Sequence, residues 1–140
     1  MFTLNSTAKS LLVVAASVSA IAAPLPARAE SLNISKLLVE TADMMNQNLP
    51  MMVDQNTRWD ASFAGPGKTL SYKFTLVNYS AGKIDGVQFA NDIRTSLTET
   101  VCNNSITKVF PENGVLLKFN YYDNASNLIT RVNVAPNDCK

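Results

Sequence analysis

The chain has 140 residues, with 12 Lys or Arg against 11 Asp or Glu, and two Cys, one Trp and no His. That length holds at most one domain, and the lack of His excludes Ser-His-Asp and Cys-His nucleophile systems and removes the commonest metal ligand. The charges almost balance and fall singly along the chain, which argues against nucleic acid or anionic lipid as the main partner, since both need clustered Lys/Arg.

The first segment has the pattern of a secretory signal peptide. Lys9 supplies the positive start, and Leu11 to Ala23 is a 13-residue apolar run. Pro24 and Pro26 break it, and Ala27-Arg28-Ala29 is an A-x-A cleavage site. The run is too short to span a membrane, which takes about 20 apolar residues. The expectation is a cleaved signal over residues 1–29 and a single small α+β domain over residues 30–140. The pattern is bacterial, so the expected location is the periplasm or the exterior. Loss of Lys9 and Arg28 leaves 10 Lys or Arg against 11 acids, a net charge of −1. In an oxidising compartment, Cys102 and Cys139 read as one structural disulfide. A redox or metal pair would sit at closer spacing, as in C-x-x-C.

In chain order, a first helix is predicted over residues 31–48. Ile34, Leu37, Leu38, Ala42, Met45 and Leu49 form its apolar stripe. Ser31 or Asn33 is its cap, and Pro50 ends it. Met51-Met52-Val53 is an extended apolar segment, and Asp54-Gln55-Asn56 is a turn. From Thr57 the pattern alternates, with Thr57, Trp59, Ala61 and Phe63 on one side. Gly65-Pro66-Gly67 turns the chain into a strand with Leu70, Tyr72, Phe74 and Leu76 facing inward, which makes an antiparallel hairpin.

A second helix is predicted over residues 85–102, capped by Asp85. Its stripe is Val87, Ala90, Ile93, Leu97 and Val101. A possible helical turn follows near residues 105–110. Two further strands cover residues 115–123 and 128–134, joined by the Asn124–Asn127 turn. The predicted fold is therefore α+β in the order α-β-β-α-β-β. Two amphipathic helices pack on one face of a four-stranded antiparallel sheet, with one disulfide. An internal echo runs through the strands: Phe63-x3-Gly67-x2-Leu70-x-Tyr72-x-Phe74 recurs as Phe110-x3-Gly114-x2-Leu117-x-Phe119-x-Tyr121.

No catalytic, cofactor-binding or metal motif stands out. Asp54-Gln55-Asn56 and Asp123 to Asn127 lack calcium-loop spacing, and turn chemistry accounts for both. Asp54, Asp60, Asp92 and Glu99 are the carboxylates a small hydrolase would draw on. Dispersed as they are, they read as solvated surface. Two groups could bind a partner. Met44, Met45, Met51, Met52 and Trp59 form an adaptable apolar set, although periodicity also places Met45 and Trp59 in the core. The segment Asn120-Tyr121-Tyr122-Asp123-Asn124 suits polar recognition, although an edge hairpin with an ordinary turn also accounts for it.

The candidate binding surface is accordingly Met51, Met52, Trp59, Tyr121, Tyr122 and Asn124. The first functional reading is a non-enzymatic periplasmic or secreted protein-interaction module: an inhibitor, an immunity-type protein or an envelope accessory. A carrier of a small apolar ligand is the alternative, and a carboxylate-dependent hydrolase ranks below it. The expected partner is another protein, with no cofactor, no nucleic acid and no membrane span after cleavage. Self-association through a strand edge stays open.

Overall fold

The computed structural model describes residues 28–140, with side chains described from Asn33 onward. The expected signal peptide lies outside these residues except for Arg28 and Ala29, which open the first helix. Helix α1 (Arg28–Asn46) leads into a two-residue strand β1 (Met51–Met52), then β2 (Thr57–Gly65) and β3 (Thr69–Leu76). Helix α2 (Gly86–Asn103) and the short α3 (Val109–Glu112) come next, then β4 (Leu116–Tyr122) and β5 (Leu128–Val134). Single 3-10 turns lie at Ala81–Lys83 and Pro136–Cys139.

The sheet has five strands in the order β1-β2-β3-β4-β5. β3 and β4 run parallel and the other pairs antiparallel. This corrects the four-stranded antiparallel expectation twice. Met51 and Met52 pair with Trp59 and Arg58, so the extended apolar segment is a strand of its own. The chain also leaves β3 through α2 and re-enters the sheet from the same end. That crossover makes β3 and β4 parallel, whereas a tight hairpin would have made them antiparallel.

The echo has a structural meaning. Leu70, Tyr72 and Phe74 stand directly beside Leu117, Phe119 and Tyr121 in the parallel register. Gly67 and Gly114 also correspond, each with positive φ (68° and 77°) before its strand, whereas Phe63 and Phe110 do not. Phe63 is 53% exposed on the outer face, while Phe110 packs against the core.

A bulge at Asp60 explains Phe63. The β2–β3 register slips between Trp59 and Ala61. The extra residue reverses the facing of everything after it. Trp59 therefore faces inward, and so do Ser62 and Ala64 beyond the bulge. The expected run of Thr57, Trp59, Ala61 and Phe63 on one face breaks halfway.

The core lies on the inner face. Leu38 and Ala42 of α1 meet Leu70, Tyr72, Leu117, Phe119 and Val134 of the sheet. Val101 of α2 closes the same cluster. Two expected stripe residues turn outward, Leu37 at 56% exposure and Val87 at 74%. Each sits at the margin of its helix's apolar arc, where sequence spacing alone does not decide burial. Ser31 and Asn33, the expected caps, lie inside α1 because the helix begins earlier. At α2 the expected cap holds: Asp85 accepts hydrogen bonds from the N–H groups of Val87 and Gln88. Cys102 and Cys139 form the disulfide. It ties the last turn of α2 to the C-terminal 3-10 turn.

Candidate functional site

Strand alternation stacks the inner face in layers, and the layers differ in cover. Leu70 and Leu117 are both 0% exposed. The next layer, Tyr72 beside Phe119, is also buried, with ring centroids 4.8 Å apart. The third layer is Trp59, Phe74 and Tyr121, and these rings are only partly buried. Phe74 lies 6.1 Å from Trp59 and 5.3 Å from Tyr121, centroid to centroid. Trp59 Nε1–H donates to the Ala61 carbonyl at 3.2 Å across the bulge, which fixes its indole.

This third layer is the floor of an apolar groove of about 1010 Å³. One wall is α2, through Phe89, Ile93, Leu97 and Thr100. These positions fall on one side of the helix and cover about 16 Å of its length at 1.5 Å per residue. Phe89 meets the floor edge-on, 5.3 Å from Tyr121 at 86°. The other wall is the β1–β2 loop, residues 53–57. Tyr79 and Ile84 line the groove from the segment between β3 and α2. No residue of α1 takes part in the lining.

Asp54 is the single charged residue of that lining. Its Oδ1 accepts from the N–H groups of Asn56 and Thr57 at 2.7 and 2.8 Å. These bonds hold its carboxyl below the ordinary value. Across the groove the Tyr121 phenol is pushed up to about 12, first by burial and then by the Asp54 charge. Both groups keep one charge state through neutral pH. The groove there is apolar with one fixed negative charge at its rim.

Tyr79 is held from behind. Asp123 is 2% exposed, and its carboxylate accepts from the N–H groups of Ala81, Ala125 and Asn127 and from Asn127 Nδ2. The Ala81 bond comes first among the causes that lower this carboxyl to about 2. Asn124 N–H donates to the Tyr79 carbonyl at 3.0 Å. The β4–β5 turn thus clamps the segment that closes one end of the groove. The sequence marked Asp123 to Asn127 as a turn, and its reach to Ala81 was not legible there.

The expected surface residues separate. Trp59 and Tyr121 lie together on the groove floor. Met51 and Met52 are exposed at 45% and 47% on edge strand β1, next to Val53 of the groove wall. Tyr122 faces the opposite side of the sheet, under Lys73. Asn124 is in the clamping turn. Val53, Tyr79, Ile84 and Phe89 were absent from the expected set. Ile93 and Leu97 belong to the expected apolar stripe of the second helix, and spacing alone carries no signal that part of it is open.

The carboxylates are dispersed. Asp60 sits on the outer face, bound by Arg58 Nε and Thr75 Oγ1. Asp92 accepts from Gln88 Nε2 on exposed α2. Among the described residues, no three Cys, Asp or Glu side chains form a group able to hold a metal ion. No described helix is long and apolar enough to cross a membrane.

The fold has relatives of known structure. A Pseudomonas aeruginosa protein described as secreted superposes with a TM-score of 0.69 at 14% identity, over 79% of this chain and 96% of that one. The pilotin of the type 2 secretion system of Vibrio vulnificus gives 0.64 at 9%, over 81% and 97%. The type II secretion pilotin of Vibrio cholerae gives 0.63 at 16%, over 81% and 100%. At these identities the likeness is one of fold. No curated protein matches the sequence. Residues 34–130, from the first inward side chain of α1 into β5, match the family described as a domain of unknown function, DUF8479, and the chain belongs to that family.

Proposed function

We propose that this protein is an exported, non-enzymatic accessory of the bacterial envelope that binds a protein partner in the groove beside α2. The observation that carries the reading is the third aromatic layer. Trp59, Phe74 and Tyr121 form a continuous apolar floor that the protein's own helices leave open. An apolar groove of this volume with a few polar groups at its rim is the default place for a binding site.

The partner's chemistry follows from the walls. They are side chains of a helix and a loop, so the groove recognises a partner through apolar side-chain contact. A partner helix satisfies its own backbone and offers only its apolar face. The three-turn length of the α2 wall suits a helix of similar length. Asp54 at the rim favours a Lys or Arg flanking that face. The fold shared with a protein described as secreted and with secretion-system pilotins supports an envelope role.

The test is crosslinked capture from native envelope extract by the processed protein and by groove variants. Val53 and Tyr79 line the groove and are 49% and 41% exposed, so Val53→Asp and Tyr79→Ala leave the core intact. The expected result is one stoichiometric partner, lost in both variants and kept in Phe63→Ser on the far face. Capture that survives both variants would refute the groove as the site.

The groove's size also favours a second reading, a carrier for an apolar small molecule, since about 1010 Å³ is at the top of the usual ligand-pocket range. Trp59, the sole Trp, reports on the floor. A saturable shift of its emission by an apolar dye, with no protein captured, would move the assignment there.

A further inference from the structure

The outer face of the sheet carries the chain's second surface. The two long helices α1 and α2 pack on the inner face, so the alternate side chains of β2 to β5 point to the opposite face, where Arg131 is exposed and Lys73 and Lys118 are half-buried. The residues that face outward include Arg58, Lys73, Lys118 and Arg131, and only one carboxylate, Asp60. The cations are far apart in sequence and gather because strand alternation sorts them to one side.

The register places them. Lys73, Asn120 and Arg131 form one row across β3, β4 and β5, and Lys118 stands in the next row beside Ser71 and Asn133. With strands about 4.8 Å apart and about 3.3 Å of rise per residue, the three cationic positions make a triangle of roughly 8–10 Å a side. Arg58 is matched by Asp60, which it contacts through Nε. Lys73, Lys118 and Arg131 are left with no described carboxylate in contact. Two of them have neighbours on the face: Lys73 Nζ lies 5.2 Å above the Tyr122 ring, and Arg131 Nε donates to Asn120 Oδ1. Asn120 is itself fixed through Nδ2 to the Tyr72 carbonyl at 3.1 Å.

We propose that this face docks the protein onto an anionic phospholipid surface. Three cations spread over an open sheet, none of them converging on a pocket, fit a plane of negative charge better than a single bound ion. Tyr122 lies among them and suits the headgroup level. Phe63, exposed at 53% on the same face, adds an apolar contact. The groove opens on the opposite face of the sheet, so a membrane-docked molecule still presents it to a partner. The near-neutral total charge hides this, because net charge says nothing about segregation between faces.

The test is vesicle flotation of the processed protein. Vesicles of phosphatidylcholine alone are compared with vesicles mixed with phosphatidylglycerol. Three unmatched cations predict a preference for the anionic vesicles on the order of 100-fold. Raising salt from about 0.1 to about 0.5 M should remove most of it, because the Debye length falls well below 10 Å. Combined Lys73→Gln, Lys118→Gln and Arg131→Gln should abolish the preference. Lys118→Glu alone should reduce it strongly, which covers the case where the triple variant folds poorly. Val53→Asp in the groove should leave it unchanged, so this proposal and the groove reading fail separately. Equal binding to both vesicles, or a preference that survives Lys118→Glu and the triple variant, overturns the proposal. Binding to a soluble acidic peptide with none to anionic vesicles also overturns it and assigns the face to an acidic protein.

Discussion

Gly86 opens α2 against β5. A Cβ built on it would lie 2.3 Å from the Ile129 carbonyl oxygen and 3.2 Å from the carbonyl carbon. Both are backbone atoms, at the residue where the β4–β5 register slips between Tyr121 and Tyr122. A side chain could swing away; this carbonyl cannot move without shifting the strand. Gly86→Ala therefore has to push α2 off β5 by about an ångström. Overpacking of this kind costs about 1–3 kcal/mol. The better helix propensity of Ala returns at most about 1 kcal/mol. A net loss of about 1–2 kcal/mol should lower Tm by roughly 5–15 °C in a domain of this size. The assay is thermal and urea unfolding followed by Trp59 emission, with Gly82→Ala as control. Nothing lies within 4 Å of a Cβ at Gly82, so that variant should stay within about 0.5 kcal/mol of the parent. A Gly86→Ala protein as stable as the parent would refute the reasoning, since α2 could then sit elsewhere without cost.

Three further outcomes are expected. Replacing Cys102 and Cys139 by Ser opens a loop with a sequence separation of 37, and chain entropy puts the loss at about 4 kcal/mol, measurable as a fall in the urea midpoint together with a steeper slope, because the unlinked denatured chain exposes more surface. Asp123→Asn should destabilise the protein at pH 7. The native carboxyl is lowered to about 2 from an ordinary 3.8, so its stabilisation is complete above the ordinary value and fades as pH falls through about 2. The gap between variant and parent should therefore close on acidification, and a constant gap across that window would argue against the charged clamp. Ser62 is 1% exposed and its hydroxyl has no hydrogen-bond partner, so Ser62→Ala should be neutral or stabilise by up to about 1 kcal/mol; a clear loss in the unfolding midpoint would mean the hydroxyl is bonded after all.

Much of the fold was legible because the chemistry was local. Asp85 has a side-chain oxygen to meet the first N–H groups of α2, and β5 alternates between a bend at Ser126 and a stop at Pro136. The cysteines are too far apart in sequence for a metal clip, which left the bridge. Other features needed non-local information. β1 is two residues long, too short for any period to show. The bulge at Asp60 inserts one residue into a clean alternation, so the pattern placed Ala61 and Phe63 on the wrong face. The parallel pairing does have a signal in the chain: the connection from β3 to β4 holds a whole helix, which is what a parallel crossover requires.

The groove was illegible for a different reason. Periodicity reports which face a side chain occupies and is silent on whether anything covers that face. Leu70, Tyr72 and Phe74 read alike, yet the first two are buried and the third forms part of an open floor. The difference comes from how α2 is held. Its first turn lies against β5 at Gly86, and its last turn is fixed by Val101 in the core and by the Cys102–Cys139 bridge. Between these anchors, Ile93 and Leu97 face the groove and are only half-buried. A helix pinned at both ends cannot drop onto the aromatic layer beneath its middle. The groove is therefore part of the resting fold, and the partner helix proposed above would enter it without first displacing an element of the protein.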